Sequence, residues 1–194
     1  NATLLLGPQA KHKVDSLGIA AFYDDPKVDS LEYPVTGIEG LYIPISSTDE
    51  IGIISSQLVY YNIQAQVLGS GEWNNLAELD ANKRYCNNVI FESDSYVDGA
   101  DSAYMRFVSQ YAERFKKKPG KNSLYGYDTA VMVLSTIHNG ATSRESLVAG
   151  LRQTRNFRGL HAKINFTQKR VNSWLWILQY ATDRIQLLDG FNVE

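Results

Sequence analysis

The stretch that decides the fold of this chain runs from Gly40 to Ser70 and reads GLYIPISSTDEIGIISSQLVYYNIQAQVLGS. Leu41–Ile45 is a short apolar run typical of a buried strand, and Gln66–Ser70 is a second one that ends with glycine. Between them, Ser47 and Glu50 have the spacing of a capping box, in which each side chain satisfies a free amide at a helix start. Apolar residues then recur on one face of the predicted helix: Ile51, Ile54, Leu58 and Tyr61. The stretch therefore predicts a strand, a helix and a second strand.

The same alternation continues towards the C-terminus. Asn88–Phe91 is predicted as a strand. An amphipathic helix is predicted over Asp98–Lys118 because apolar residues recur at helical spacing and the closing lysines, Lys116–Lys118, match the negative end of the helix dipole; the apolar residues are Tyr104, Phe107, Val108, Tyr111 and Phe115. A further helix is expected from about Ser123 to Asn139. Its centre, Ala130–Leu134, is apolar all round, which predicts that this helix is largely buried. Thr142–Glu145 has the spacing of a second capping box and predicts another helix.

After Gly159 the pattern changes from helix to strand. Three strands joined by polar turns are predicted, over His161–Phe166, Ser173–Tyr180 and Arg184–Leu188. The order of strands and helices predicts an α/β fold: a three-layer sandwich with a mostly parallel sheet, helices on both faces, and antiparallel strands near the C-terminus. Earlier in the chain, Leu4–Leu6 and Ile19–Tyr23 are short apolar runs consistent with buried strands.

Composition excludes several classes of protein. The chain has 194 residues with 19 Lys and Arg against 21 Asp and Glu, a net charge of −2. Such a balance does not fit a protein that binds nucleic-acid phosphates, which needs a basic face. The single cysteine, Cys86, excludes an internal disulfide. No apolar run approaches the roughly 20 residues of a membrane helix, and the opening residues lack the basic start of a signal peptide.

The motifs of common enzymes are missing. The sequence contains no Gly-x-Gly-x-x-Gly, no Walker loop and no Gly-x-Ser-x-Gly, so neither a cofactor nor a catalytic group is predicted. Cys86 is expected to be a small buried side chain. His138 is expected to lie near a helix end and compensate the helix dipole. His161 could face a cleft, but a role in packing or in a turn is the favoured alternative. Acidic residues form one cluster that could hold a hard cation or, preferably, a solvated helix start: Glu92, Asp94, Asp98 and Asp101.

The remaining candidates lie at the ends of strands. In open parallel sheets, ligands bind beyond the carboxyl ends of the strands. Hydroxyl, glycine and aromatic residues in such loops can stack on and hydrogen-bond a small polar ligand without chemistry. The predicted ligand-binding residues are Ser46, Ser47, Gly69, Ser70, Glu72, Trp73, Tyr96, Tyr127 and Asp128. For each one, ordinary loop and core packing is the alternative. Trp73→Ala and Tyr127→Ala are expected to weaken ligand binding more than they reduce stability.

From Glu39 to Gly190 the order of motifs resembles the ABC-transporter solute receptors for branched-chain amino acids, which have the type 1 periplasmic-binding fold. The strand Gly40–Pro44 and the glycine loop Val67–Trp73 carry the first part of this resemblance. Gly126–Ala130 resembles the family's Gly-Tyr-Asp-Ala helix start, and Phe157–Phe166 is similar to the stretch that leads into its closing strands. The sequence departs from the family at three turn positions: Ala162, Thr167 and Arg170.

The resemblance implies a non-enzymatic receptor located in the periplasm or at the extracellular cell surface. It implies a small polar solute such as an amino acid as ligand, with loops at an interlobe cleft, and an ABC-transporter permease as partner. Because such receptors have two lobes, residues 38–194 are expected to form about one lobe after a divergent segment, 1–37. The alternative is a ligand-free interaction or regulatory domain, as in lipoproteins that activate cell-wall synthases. A small α/β enzyme is the third, least favoured, hypothesis.

Overall fold

A computed structural model describes residues 37–166 and 171–193 of the chain. Its strands are β1 Gly40–Ile43, β2 Gln66–Gly69, β3 Ile90–Ser93, β4 Phe157–Arg158, β5 Lys163–Ile164, β6 Trp174–Ala181 and β7 Arg184–Asn192. Its α-helices are α1 Glu50–Tyr60, α2 Leu76–Ala81, α3 Lys83–Cys86, α4 Ser102–Phe115, α5 Lys121–His138 and α6 Arg144–Arg152. Almost all of the predicted segment 1–37, with its two predicted strands, lies outside the described residues, as do Thr167 and Arg170.

The main sheet has five strands in the order β1-β2-β3-β6-β7. Strands β1 and β2 are parallel, with Gly40 opposite Gln66 and Ile43 opposite Gly69. Strands β2 and β3 are also parallel, with Gly69 opposite Phe91. Strands β4 and β5 form a separate antiparallel pair. These pairings confirm the predicted α/β class with a mostly parallel sheet and antiparallel strands towards the C-terminus.

Two compact units make up the described part of the chain. The first contains residues 37–91 and 180–185, and the second contains residues 92–166, 171–179 and 186–193. The core of the first unit is built from apolar side chains that are almost fully buried: Ile51, Trp73, Leu79, Val89, Phe91 and Tyr180. In the same unit Gly52 allows a close approach, since a Cβ there would lie 2.6 Å from Asn82 Oδ1.

The first predicted capping box forms in half, and the second is shifted by one residue. The Glu50 carboxylate accepts the Ser47 amide at 3.0 Å, as predicted, but the Ser47 hydroxyl accepts the Asp49 amide, and helix α1 begins only at Glu50. Before α6, the reciprocal box joins Ser143 to Ser146 instead of Thr142 to Glu145. The hydroxyl of Ser146 accepts the Ser143 amide at 2.9 Å, so a serine takes the place expected for glutamate.

Helix α5 is more exposed than its apolar centre predicts. Of its residues only Leu124 and Asp128 are buried, and the Leu134 side chain is 62% exposed. Among the described elements α5 packs mainly on α6, which covers one side of the helix. The prediction that Ala130–Leu134 is largely buried is therefore wrong, because uniform apolarity does not show how many neighbours a helix has.

The C-terminal strands differ in length from those predicted. The predicted strand 161–166 shrinks to β5, since the Asn165 amide donates to the Asn172 side chain at 2.8 Å instead of to a neighbouring strand. Strand β7 extends to Asn192, four residues beyond Leu188. The turn before it places Thr182 and Asp183 in the left-handed region, with φ of 53° and 59°. Two such residues form the tight turn that suits a twisted hairpin.

Candidate functional site

The loops that follow β1 and β2 meet at one edge of the first unit. The register of the parallel pair places the two carboxyl ends side by side. The Ile45 amide donates to Ser70 Oγ at 3.2 Å, and the Trp73 indole N–H donates to the Ile43 carbonyl at 3.0 Å. Six predicted ligand-binding residues are thereby brought to one edge: Ser46, Ser47, Gly69, Ser70, Glu72 and Trp73.

Trp73 anchors the loop after β2. It ends a single 3₁₀ turn, Gly71–Trp73, and its side chain has no exposed surface. The ring packs directly against Gly69, where any Cβ would overlap it. The glycine is therefore needed for the close approach of the indole. The structure shows a packing role for both residues, and their contact with a ligand stays a prediction.

The polar groups exposed at this edge are hydroxyls and one carboxylate. Ser46, Ser47 and Glu72 are all exposed. The amides of Ser46 and Ser47 already donate to Glu50 Oε1, at 3.2 and 3.0 Å. Glu72 belongs to no ion pair within residues 37–166 and 171–193, which leaves its carboxylate available to a cation.

A buried carboxylate organises the second unit. Asp128, on α5, is 2% exposed. Its Oδ1 accepts the Leu160 amide at 2.7 Å and its Oδ2 accepts the His161 amide at 3.2 Å. The same Oδ2 lies 2.6 Å from His161 Nδ1. A side chain at residue 159 would overlap the carboxylate, so Gly159 completes the loop that wraps around Asp128.

The hydrogen bonds of Asp128 keep it ionised. Burial by itself would raise the pKa of Asp128, but the His161 side chain and the amides of Leu160 and His161 together hold that pKa below its ordinary value. The His161 Nδ1 contact is at a close ion-pair distance, and neither ring nitrogen of His161 has a well-aligned hydrogen bond among the described residues. None of the described nucleophiles is bonded to the imidazole.

Tyr96 joins this cluster and Tyr127 does not. The Tyr96 amide donates to the His161 carbonyl at 2.8 Å, which brings Tyr96 and Asp128 together through His161. Tyr127 lies next to Asp128 in sequence, but its ring is 42% exposed and stands 4.7 Å from the Phe107 ring. His161 thus contacts both Tyr96 and Asp128, which the sequence did not predict. The only sequence feature that pointed to it was its position directly after Gly159 and Leu160.

The acidic cluster is occupied by hydrogen bonds within the protein. Asp101 is the N-cap of α4 and accepts the amides of Ala103 and Tyr104. Asp98 accepts the Ala100 amide, and Asp94 accepts the Tyr125 hydroxyl at 3.0 Å. In the described part of the chain, no three acidic, histidine or cysteine residues are placed to hold a metal ion.

Cys86 is a small buried side chain, as predicted. It is 4% exposed, and its thiol lies within hydrogen-bond distance of the carbonyls of Leu79 and Asn82, between which it shares its single S–H. Burial raises the pKa of the thiol to about 11, so it is protonated at neutral pH. The residue also lines a cavity of about 280 Å³ beneath α1. Of the predicted ligand residues only Trp73 reaches this cavity.

A parallel β1-β2-β3 sheet with loops gathered at its carboxyl ends defines the class as an open α/β fold, in which ligands bind at that edge. No family model matches the sequence, and no curated protein sequence does. Solved structures with the same fold include a leucine-binding protein, LivK, from Thermotoga maritima. It is 21% identical at a TM-score of 0.59, over 79% of this chain and 44% of that chain.

Two further solved structures share the fold. One, described as a putative branched-chain amino acid ABC transporter from Rhodospirillum rubrum, is 18% identical at a TM-score of 0.66, over 77% of this chain and 44% of that chain. The other, a branched-chain amino acid ABC transporter from Thermus thermophilus with bound valine, is 14% identical at a TM-score of 0.59, over 80% and 46%. The chain thus spans less than half the length of these proteins. No helix within residues 37–166 and 171–193 is both long and apolar enough to cross a membrane.

Proposed function

We propose that this chain is part of an extracytoplasmic receptor that binds a small polar solute, such as an amino acid, for ABC-type transport. The observation that carries the proposal is the edge formed by the β1 and β2 loops. There Ser70 and Trp73 lock the two loops together, while Ser46, Ser47 and Glu72 remain exposed. Fixed loops with exposed polar groups at strand ends are the usual place for a ligand in an open α/β sheet.

Each group at this edge suits one part of an amino acid. The Glu72 carboxylate would pair with the ligand's ammonium group, and the hydroxyls of Ser46 and Ser47 would donate to its carboxylate. Ser70, Gly69 and Trp73 would act by holding the loops in place.

The three predicted ligand residues of the second unit are proposed as candidates within that unit by itself. Tyr127 would offer an exposed aromatic face, and Tyr96 an aromatic side chain with a hydroxyl. Asp128 would act through the loop that it holds, because its carboxylate is buried. A permease as partner, and a periplasmic or cell-surface location, belong to the same proposal. The permease is supported by the descriptions of two structural neighbours as ABC transporters.

A thermal-shift screen of the purified chain against the twenty amino acids tests the proposal. A solute present at 100 times its dissociation constant should stabilise the protein by about 2.7 kcal/mol. For the solute that stabilises most, Glu72→Gln should raise the dissociation constant about tenfold, since it removes a charge-assisted hydrogen bond. Glu113→Gln, an exposed change of the same kind on α4, should have no effect. If no amino acid stabilises the chain, or if both variants behave alike, the assignment is wrong.

A second candidate function is an interaction or regulatory domain with the same fold. It is favoured by the exposed apolar side chains on α5, where Leu134 and Ile137 are 62% and 46% exposed. Exposed apolar groups grouped on one helix are typical of protein-binding surfaces. In that case no solute should stabilise the chain, and Leu134→Glu should abolish binding to a protein partner while leaving the fold intact.

A further inference from the structure

A cavity of about 330 Å³ lies within the second unit, between the 158–163 segment and the tryptophans of β6. Its aromatic walls are Tyr96, Trp174 and Trp176. The Trp176 ring lies 5.3 Å from the Trp174 ring and 6.1 Å from the Tyr96 ring. Trp174 and Trp176 are two residues apart and therefore lie on the same face of the strand. The volume falls in the range of small-molecule sites.

The two tryptophans leave hydrogen-bond donors unused. The indole Nε1 atoms of Trp174 and Trp176 are both buried, and neither has a hydrogen-bond partner among the described residues. A buried donor without a partner is unfavourable and uncommon in native proteins. By contrast, the third indole, that of Trp73, donates to the Ile43 carbonyl. Indole nitrogens can only donate, so the missing partners must be acceptors.

Two cationic side chains at the cavity, Lys163 and Arg158, are further hydrogen-bond donors beside the two unpartnered indoles. The Lys163 Nζ lies over the Trp174 ring, 3.4 Å from its centroid, and it forms no ion pair with a described carboxylate. Arg158 has only a long contact with Asp101, at 3.9 Å, and its side chain is 82% exposed. The carboxylates at the rim are already engaged: Asp101 accepts two backbone amides, and Asp98 accepts one.

We propose that this cavity binds a small organic carboxylate that carries a planar ring. The carboxylate would accept from the free indole N–H groups and pair with Lys163, while the ring would pack among the three aromatic side chains. Gly190 lies against both indoles, and a Cβ there would come within 2.7 Å of Trp174. A larger residue at position 190 would therefore overlap both rings. Of the residues proposed for the receptor only Tyr96 lines this cavity, and the inference does not depend on amino acid binding at Glu72.

Titration with benzoate, followed by the indole N–H signals in ¹H–¹⁵N NMR spectra, tests the proposal on the intact chain. The signals of Trp174 and Trp176 should shift saturably, and that of Trp73, whose N–H is already bonded, should stay in place. Benzamide, which lacks the charge, and acetate, which lacks the ring, should bind at least about tenfold more weakly. The three signals are assigned from single Trp→Phe variants.

Lys163→Gln should raise the dissociation constant for benzoate on the order of tenfold. The matched control is Lys121→Gln, which removes a lysine that also lies near an aromatic ring, that of Tyr125 at 5.8 Å, but outside this cavity. An unchanged Trp73 signal verifies that each variant is folded. The proposal is overturned if benzoate causes no saturable shift, if sulfate causes the same shift, or if the two lysine variants lose affinity equally. None of these results bears on amino acid binding at Glu72.

Discussion

The two units each hold a loop with one buried side chain, and the two side chains are chemically opposite. In the first unit an indole, that of Trp73, packs on Gly69 and donates its single N–H to the Ile43 carbonyl. In the second unit a carboxylate, Asp128, accepts two amides and lies 2.6 Å from the His161 imidazole Nδ1. The first anchor relies on apolar burial, which pH does not change. The second relies on a charge in a buried place, which is stable only while its partners stay in position.

The largest effect is expected when the apolar anchor is removed. Trp73→Ala should lower the free energy of unfolding by about 4 kcal/mol, because it deletes a fully buried aromatic side chain. Urea unfolding measures the loss. The sequence alone favoured a larger effect on ligand binding than on stability; the complete burial of the ring adds the expectation of a large stability loss.

Trp73→Phe is the matched control. It keeps most of the buried ring and removes the bond to Ile43, so it should cost less than half as much as the alanine variant. If the two variants are equally destabilised, burial is not what anchors this loop.

Removal of the charge from the polar anchor should have the second largest effect. Asp128→Asn should lower the free energy of unfolding by about 3 kcal/mol, because the amide group cannot accept from both amides and the imidazole at once. Asp94→Asn, which alters an exposed carboxylate of the same unit, serves as the control and should be close to neutral. An equally mild result for Asp128→Asn would show that the cluster adds little to stability.

The response to acid separates the two anchors further. The pKa of Asp128 is lower in the folded protein than its ordinary value of about 3.9. A carboxyl group with a lowered folded pKa contributes stability above the unfolded pKa, and that contribution is lost as pH falls through the folded pKa. The free energy of unfolding should therefore decrease as pH falls below about 4.

Denaturant midpoints across this pH range measure the decrease. Relative to the unaltered chain, the decrease in the free energy of unfolding should be smaller in Asp128→Asn and the same in Trp73→Phe. The pKa of Asp101 is also lowered, by the amides of Tyr104 and Ala103, so Asp101 adds to the loss of stability in acid. The acid response of Asp101→Asn measures that share. An acid response of full size in Asp128→Asn would mean that other carboxyl groups cause it.

The smallest effect is expected from the hydrogen bond that supports the apolar anchor. Ser70→Ala should cost about 1 kcal/mol, since it leaves the Ile45 amide without its partner. Ser46→Ala is the control, because the Ser46 hydroxyl is exposed and its substitution should change stability by less than about 0.5 kcal/mol. A drop for Ser46→Ala as large as that for Ser70→Ala would indicate a general sensitivity of this edge.

Much of the fold could be predicted because it depends on local order. The alternation of strand and helix from Gly40 to Phe91, and the long helix that became α4, follow from hydrophobic periodicity and from glycine and proline positions. The helix starts were less accurate. Ser47 and Ser143 both had several capping partners within reach, and the spacing of residues does not decide which hydrogen bond forms.

Part of the candidate site was predictable because it follows from the local order of strands and loops. The rule that ligands bind at strand carboxyl ends located Ser46, Ser47 and the loop before Trp73 at one edge. It could not distinguish a residue exposed on that edge from one buried beneath it. Trp73 and Glu72 are neighbours in the chain, yet one is fully buried and the other exposed.

The sequence by itself determined the α/β class, the order of the elements and the absence of common enzyme motifs, because these depend on residues close together in the chain. Only the tertiary structure decided that Asp128 pairs with His161, which is 33 positions away, and that the Trp73 ring closes on Gly69. It also decided that the indoles of Trp174 and Trp176 line a cavity without hydrogen-bond partners among the described residues. Burial and pairing between distant residues depend on how elements pack, and packing is a property of the whole fold.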